Sequence, residues 1–241
     1  MSLITVYGAN TELHDLHKIA LEAPEGAGSY WQGIQHGDLA DTIIDEAHSR
    51  GWEINDMKFS VDKSGTELAA GFGVVIPKVD VPKGMSLGLG ILTSNARKRS
   101  LKMVVGATIA CCHNGMATGE IVLNKRHTTG FDIFDEIDSA LTVYAERVLE
   151  MPATVASLRE CKLASYQAEA ILMDAGRSNV MSWSRICKVD SEYRTPTFSE
   201  HGTGTSWALL NAFTHIAKEL PVLQQMDRMN QFRELLPVAA L

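Results

Sequence analysis

The chain has 241 residues, of which 45% are apolar and 21% charged, with a formal net charge of −7. This composition excludes disordered, collagen-like and disulfide-stapled classes, and the acidic balance excludes a generally basic nucleic-acid binder. The length suffices to bury a sizeable core in one domain.

No apolar run reaches the roughly 20 residues of a membrane span. The N-terminus shows no basic stretch followed by an apolar one, so no signal peptide is expected. Cys111, Cys112, Cys161 and Cys187 have no framework spacing, which predicts reduced thiols in a cytoplasmic protein.

Residues 1–37 are rich in glycine and turn formers and predict an irregular arm. Asp38 as cap, Leu39, Ile43, Ile44 and Ala47 on one face, and Gly51 as stop predict a helix over 39–50. The period then changes to two. Met57, Phe59 and Val61 alternate with polar residues, the "DKSG" stretch supplies turn chemistry, and Leu68 to Ile76 alternate again as a hairpin. Leu87, Leu89 and Ile91 mark a third strand. The nearly all-apolar "LKMVVGATIACC" predicts a fourth, covered on both faces, and "EIVLNKRHT" a fifth.

From Phe131 on the pattern is helical. Ile133, Ile137, Leu141, Tyr144 and Val148 form one stripe. A second helix is expected after Pro152, carrying Val155, Leu158, Tyr166 and Ala170 and ending at Gly176. The stretch 177–204 reads as a connector with a short helix at best. Thr205 caps a late helix whose Trp207, Leu210, Thr214 and Ala217 share a face, and a final helix follows Pro221. Strands first and helices afterwards predict a single α+β domain over 1–241: an arm over 1–37, a helix and sheet over 38–130, and helices over 131–241. The sheet is expected to be mostly antiparallel, with about five strands and helices on one face.

Charge is uneven. Between Thr93 and His127, Arg97, Lys98, Arg99, Lys102, Lys125 and Arg126 stand against Glu120 alone, a net of +5 that leaves −12 for the rest. A basic segment on an acidic body is compatible with an anionic partner, and equally with a solvated sheet edge.

The "CCHNG" stretch does not have the spaced pairs of a zinc site. On a strand, Cys111 and Cys112 point to opposite faces. Cys111, His113 and His127 make three possible ligands without a fourth, so no metal is expected. A Cys–His nucleophilic pair lacks an orienting third group. The plainer reading is an apolar strand in which cysteine is a small hydrophobe, ending in a type I′ turn at Asn114 and Gly115. Alternation would put Lys125 and His127 on one face and Arg126 on the other. The "HGTGTSW" stretch offers N–H groups at a helix start, either as an anion site or as a simple cap. No Walker loop and no G-x-G-x-x-G unit is present, so no cofactor is expected. Asp132, Asp135, Glu136 and Asp138 complement a helix dipole.

In order along the chain, "GILTSNARKRS", "ATIACCHNGM", "RHT" and "TSWALLNAFT" resemble the phage/plasmid-like protein family, catalogued as domain of unknown function 932. Cys112, His113, Asn114, Gly115 and Met116 fit its strand-and-turn element. Arg126, His127 and Thr128 fit its Arg-His-Thr, and Trp207, Asn211, Ala212 and Thr214 fit its late helix. The first element does not have the family's His-Asp, so chemistry on that pair does not carry over. The resemblance implies a habitat in phages, plasmids and integrated elements, and it implies no mechanism.

The leading expectation is a non-enzymatic accessory protein that meets nucleic acid, single-stranded DNA in particular. Arg97, Lys98, Arg99, Lys102, Lys125 and Arg126, with His127, would meet phosphates, and Tyr30 or Trp31 would stack bases. The alternatives are a hydrolytic enzyme using His113 and His127, or a protein-binding, anti-defence module with an acidic face. Self-association stays open, and no membrane partner is expected. Trp207 is expected in the core, and Asn211 is expected to hydrogen-bond the sheet.

Overall fold

The computed structural model describes residues 9–81, 85–109, 120–130, 132–220 and 222–237. The "CCHNG" strand end and turn, with Cys111, Cys112, His113, Asn114 and Gly115, lie outside the described residues. The chain groups into two compact units, the first drawn from Met1–Val79, Ser86–Gly106 and Glu120–Val148, the second from Asp80–Met85, Ala107–Gly119 and Leu149–Leu241.

Among the described residues, a six-stranded antiparallel sheet, drawn mainly from the first unit, sets every strand beside the next in sequence. Its strands are β1 (Ala9–Thr11), β2 (Glu53–Val61), β3 (Glu67–Val75), β4 (Met85–Ser94), β5 (Leu101–Ile109) and β6 (Glu120–Lys125). Short polar turns suffice for the β2–β3 and β4–β5 connections, so local sequence sets the order. β1 is the strand the sequence reading did not contain. It is three residues long, too short for a periodic signal, and it pairs Thr11 with Phe59 at the sheet edge.

The central strands depart from simple alternation. Glu67–Phe72 on β3 and Leu87–Ser94 on β4 are buried on both faces. Small residues make this possible: Ala69, Ala70 and Gly71 face Leu92, Ile91 and Gly90 across the ladder. Phe59 and Phe72 meet edge to face with centroids 5.7 Å apart. On β2 the alternation is only partial, because Met57 is exposed while Ser60 is buried. A register shift between Ile54 and Asp56 interrupts that ladder.

Residues 9–16 of the expected irregular arm are ordered, as β1 and the one-turn α1 (Leu13–Leu16). Helix α2 spans His36–Ser49, and its cap is Gln35, whose side chain accepts from the His36 N–H, rather than Asp38. The helix starts earlier because Gln35 also anchors to the Ile19 carbonyl at 2.8 Å, which fixes the entry of the chain. Gly51, at φ +71°, terminates it as predicted.

Helix α3 spans Ile133–Glu160, without a break at Pro152. The expected second helix starting there is therefore corrected. The buried stripe runs on through Val148, Met151, Val155 and Leu158, so packing offsets the lost hydrogen bond. In the first unit, Asp138 pairs with Arg50, and Tyr144 meets Trp52 edge to face at 5.8 Å.

The second unit takes α3 from Leu149 on, with α4 (Ser165–Arg177), α5 (Trp183–Arg194), α6 (Ser206–Ala217) and α7 (Val222–Leu235). α5 replaces the expected connector. Its apolar positions Ile186, Val189 and Tyr193 are spaced three and four apart and buried, but polar residues at the other positions mask the stripe. Tyr166, expected to share the helix with Val155, sits exposed on α4. α6 is buried almost all round, capped by Thr205 as predicted, and stacks Phe213 on Phe232 of α7 at 3.9 Å.

Replacing Pro152 with Ala should restore the missing N–H and raise stability by up to about 3 kcal/mol. Thermal unfolding of Pro152→Ala against the parent checks this; an unchanged or lower Tm would mean that the ring's own packing outweighs the bond.

Candidate functional site

The site begins with a backbone problem. Residues 17–35 form no regular structure, so their N–H and C=O groups need partners elsewhere. Asn95, just past β4, supplies two of them. Its Oδ1 accepts from the Ile34 N–H at 3.0 Å, and its Nδ2 donates to the Ile34 carbonyl at 2.9 Å. The segment after β6 supplies others: Gln32 N–H donates to the His127 carbonyl at 3.3 Å, and Thr129 N–H donates to the Tyr30 carbonyl at 2.8 Å. Trp31 and Thr128 form an antiparallel bridge. The arm is therefore stitched across one end of the sheet.

Two buried histidines lie close enough to each other to interact electrostatically. His127 Nε2 lies 2.8 Å from the Thr93 hydroxyl, and His36 Nε2 lies 3.1 Å from the Gly65 carbonyl. Burial lowers the pKa of both below the ordinary imidazole value, and a charge on His36 would lower His127 further.

Above them opens a cavity of about 620 Å³. Its walls come from three places: Gly28, Tyr30 and Trp31 of the arm, Arg97, Arg99 and Ser100 between β4 and β5, and Arg126, His127 and Thr128 after β6. None of these is a carboxylate. Tyr30 is 78% exposed at the rim. Arg97 donates to the Gly26 carbonyl at 2.9 Å and holds a left-handed backbone, φ +61°. That conformation is costly for a residue with a Cβ. Arg126 is exposed, and its guanidinium has no hydrogen-bond or ion-pair partner among the described residues.

The other predicted cations are distributed differently. Lys98 and Arg99 both pair with the buried Glu67, at 2.9 and 2.8 Å. Lys125 pairs with Glu136 at 2.7 Å. Lys102 sits on β5 opposite Asn124, outside the cavity wall. The expected strand alternation at 125–127 is corrected: β6 ends at Lys125, the chain bends, and both Arg126 and His127 line the cavity. Asn95, Thr93 and His36 were missed as site residues. Asn95 lies in the "TSN" of the first family-like element, the signal that could have found it.

Elsewhere the predicted residues have structural roles. Trp207 is buried, with the Arg159 guanidinium 5.1 Å from its ring centre. The expectation for Asn211 is corrected. Its Nδ2 donates to the Trp207 carbonyl one turn back, at 2.8 Å, because α6 buries the amide within its own helix. The start of α6 is closed by the chain itself: Thr205 accepts from Ala208 N–H at 3.1 Å, and Ser206 donates to the Pro237 carbonyl at 2.8 Å. At the start of α3, Asp132 accepts from the Phe134 N–H at 2.9 Å, as an acid at a helix start should. Among the described residues, no three His, Cys, Asp or Glu side chains converge on a metal position, and no helix is long and apolar enough to cross a membrane.

A family model described as a domain of unknown function (DUF932) matches residues 85–231, more than half of the chain. No curated protein and no solved structure matches it.

Asn95→Ala should free the arm. Losing both bonds and leaving the Ile34 groups unpaired should cost about 1–3 kcal/mol, read as a lower Tm and faster proteolysis within residues 17–35. Acid should also act on this region. His36 and His127 are held neutral when folded, whereas the unfolded chain takes up protons near pH 6.5. The unfolded state then binds more protons, so stability should be level above about pH 7 and fall as pH drops below about 6.5. Unfolding from pH 8 to pH 5 should show that fall, and a His36→Gln/His127→Gln variant should reduce it, with the buried His201 supplying the remainder.

Proposed function

The chain belongs to the DUF932 family of domains of unknown function, and we propose that it binds single-stranded nucleic acid in the cavity between the arm and the end of the sheet. One observation carries the reading: a single cavity collects Arg97, Arg99 and Arg126 beside Tyr30 and Trp31, with no carboxylate among the described residues of its wall. Guanidinium groups take phosphate oxygens through paired N–H donors. An exposed aromatic ring offers a stacking surface to any base. The strained backbone at Arg97 supports the same reading, since strain tends to be retained where a side chain must be aimed.

Only part of the basic segment takes part. Glu67 and Glu136 partly neutralise Lys98, Arg99 and Lys125, which leaves Arg97 and Arg126 as the main contacts. The family habitat adds an accessory role in a phage, plasmid or integrated element, exerted in the cytoplasm without catalysis. A hydrolytic role for His127 is the weaker reading, because its Nε2 is engaged by Thr93 and its ring is buried.

Fluorescence anisotropy with labelled single-stranded DNA at two salt concentrations tests this. Binding should weaken with salt. Arg126→Glu should lower affinity at least tenfold and reduce the salt slope by about 0.7 for one lost phosphate contact. Tyr30→Ala should cost about 1–3 kcal/mol of binding. Arg97→Gly should bind more weakly while its Tm stays close to the parent, since relief of the backbone angle offsets the lost bond to the Gly26 carbonyl. Salt-independent binding, or full affinity in Arg126→Glu, would sink the reading.

A further inference from the structure

We infer that the cavity takes a nucleoside carrying a phosphate monoester, as at a phosphorylated strand end, rather than the interior of a strand. The inference rests on the nucleic-acid reading above and narrows its ligand. Three features of the cavity carry it.

The first is size. A cavity of about 620 Å³ falls within the range of about 300–1,000 Å³ that encloses one small-molecule ligand. Proteins that track a strand interior cover about 4–16 nucleotides with a groove and successive aromatic rings. Here one exposed ring, Tyr30, stands at the rim, while Trp31 is partly buried in the wall.

The second is charge. Arg97, Arg99 and Arg126 line the cavity and Glu67 pairs with Arg99, so among the described residues three cations and one anion leave two positive charges around it. An internal phosphodiester brings one negative charge. A monoester brings about 1.5 to 2 at neutral pH and three terminal oxygens. The monoester matches the excess; the diester leaves half of it unused.

The third is preorganisation. Arg97 is tethered to the Gly26 carbonyl and Arg99 to Glu67, so two guanidinium groups are positioned before a ligand arrives. Arg126 retains its full set of N–H donors among the described residues and can close on the phosphate from the third wall. Tyr30 then lies on the side where the attached base would emerge. Converging arginines from two separate segments suit a compact tetrahedral anion, whereas a passing backbone suits a linear row of cations.

The experiment compares three oligonucleotides of one sequence, with a 5′-phosphate, a 3′-phosphate or only hydroxyl ends, by anisotropy with the full chain. A mononucleotide of the terminal base and inorganic phosphate serve as competitors. A phosphorylated strand should bind at least tenfold more tightly than the hydroxyl-ended one. That preference should disappear in Arg126→Gln, which removes the charge without adding an opposing one. The mononucleotide should compete more strongly than inorganic phosphate, because the base contributes on Tyr30.

Equal affinity for all three strands overturns this inference and leaves single-strand binding standing. Binding of the mononucleotide with no binding of any strand supports the monoester ligand and overturns the strand reading. Binding of none of the probes overturns both. Loss of preference in Arg126→Gln counts only if its Tm matches the parent, and Arg97→Gly serves as the second variant because its backbone is relieved rather than strained.

Discussion

The bidentate contact between Asn95 and Ile34 is the constraint on which the candidate site depends. Irregular chain holds its shape only where its backbone groups find partners, and residues 17–35 have few of their own. One amide at the end of β4 satisfies both the N–H and the C=O of Ile34. Once that point is fixed, Trp31 and Tyr30 fall into bridging distance of Thr128 and Thr129. Arg97 tightens the same span by reaching back to Gly26, at the cost of a left-handed backbone.

Electrostatics in this region follow from pairing rather than from local composition. The net +5 of the basic segment is real, but Glu67 takes up Lys98 and Arg99, and Glu136 takes up Lys125. Glu67 is buried at the start of β3, far from these cations in sequence, and a charge there needs partners. The surviving cationic character concentrates on the arginines that the turns between β4 and β5 and after β6 hold toward the arm. For the same reason a charge reversal at Arg99 would set two carboxylates against each other and confound binding with folding, whereas Arg126 is a clean handle.

The second unit shows how buried polar groups are settled inside helices. Glu192 accepts from both the N–H and the hydroxyl of Thr197 at 2.8 Å, which closes the turn after α5. His201, only 2% exposed, approaches Glu192 at 3.8 Å. Burial lowers its pKa despite that neighbour, so the contact joins a neutral ring to a carboxylate rather than forming an ion pair. Asn211 and Thr214 turn inward on their own helix, which leaves α6 apolar enough to pack on nearly every side.

The sequence by itself determined the α+β class, the hairpins, and the caps at Gly51 and Thr205. Each of these is a local matter of period, turn chemistry or composition, and neighbouring residues suffice to express it. It did not reveal β1, which is too short for a period, nor α5, whose apolar stripe is diluted by polar residues. It also did not reveal the passage of α3 through Pro152, where distributed packing outweighs a local penalty. Asn95, Thr93 and His36 acquire their roles only across the fold, by meeting chain distant in sequence. Only the tertiary structure decided which cations stay available and that Tyr30 and Trp31 stand beside them, because ion pairing and arm docking depend on distances that sequence order does not encode.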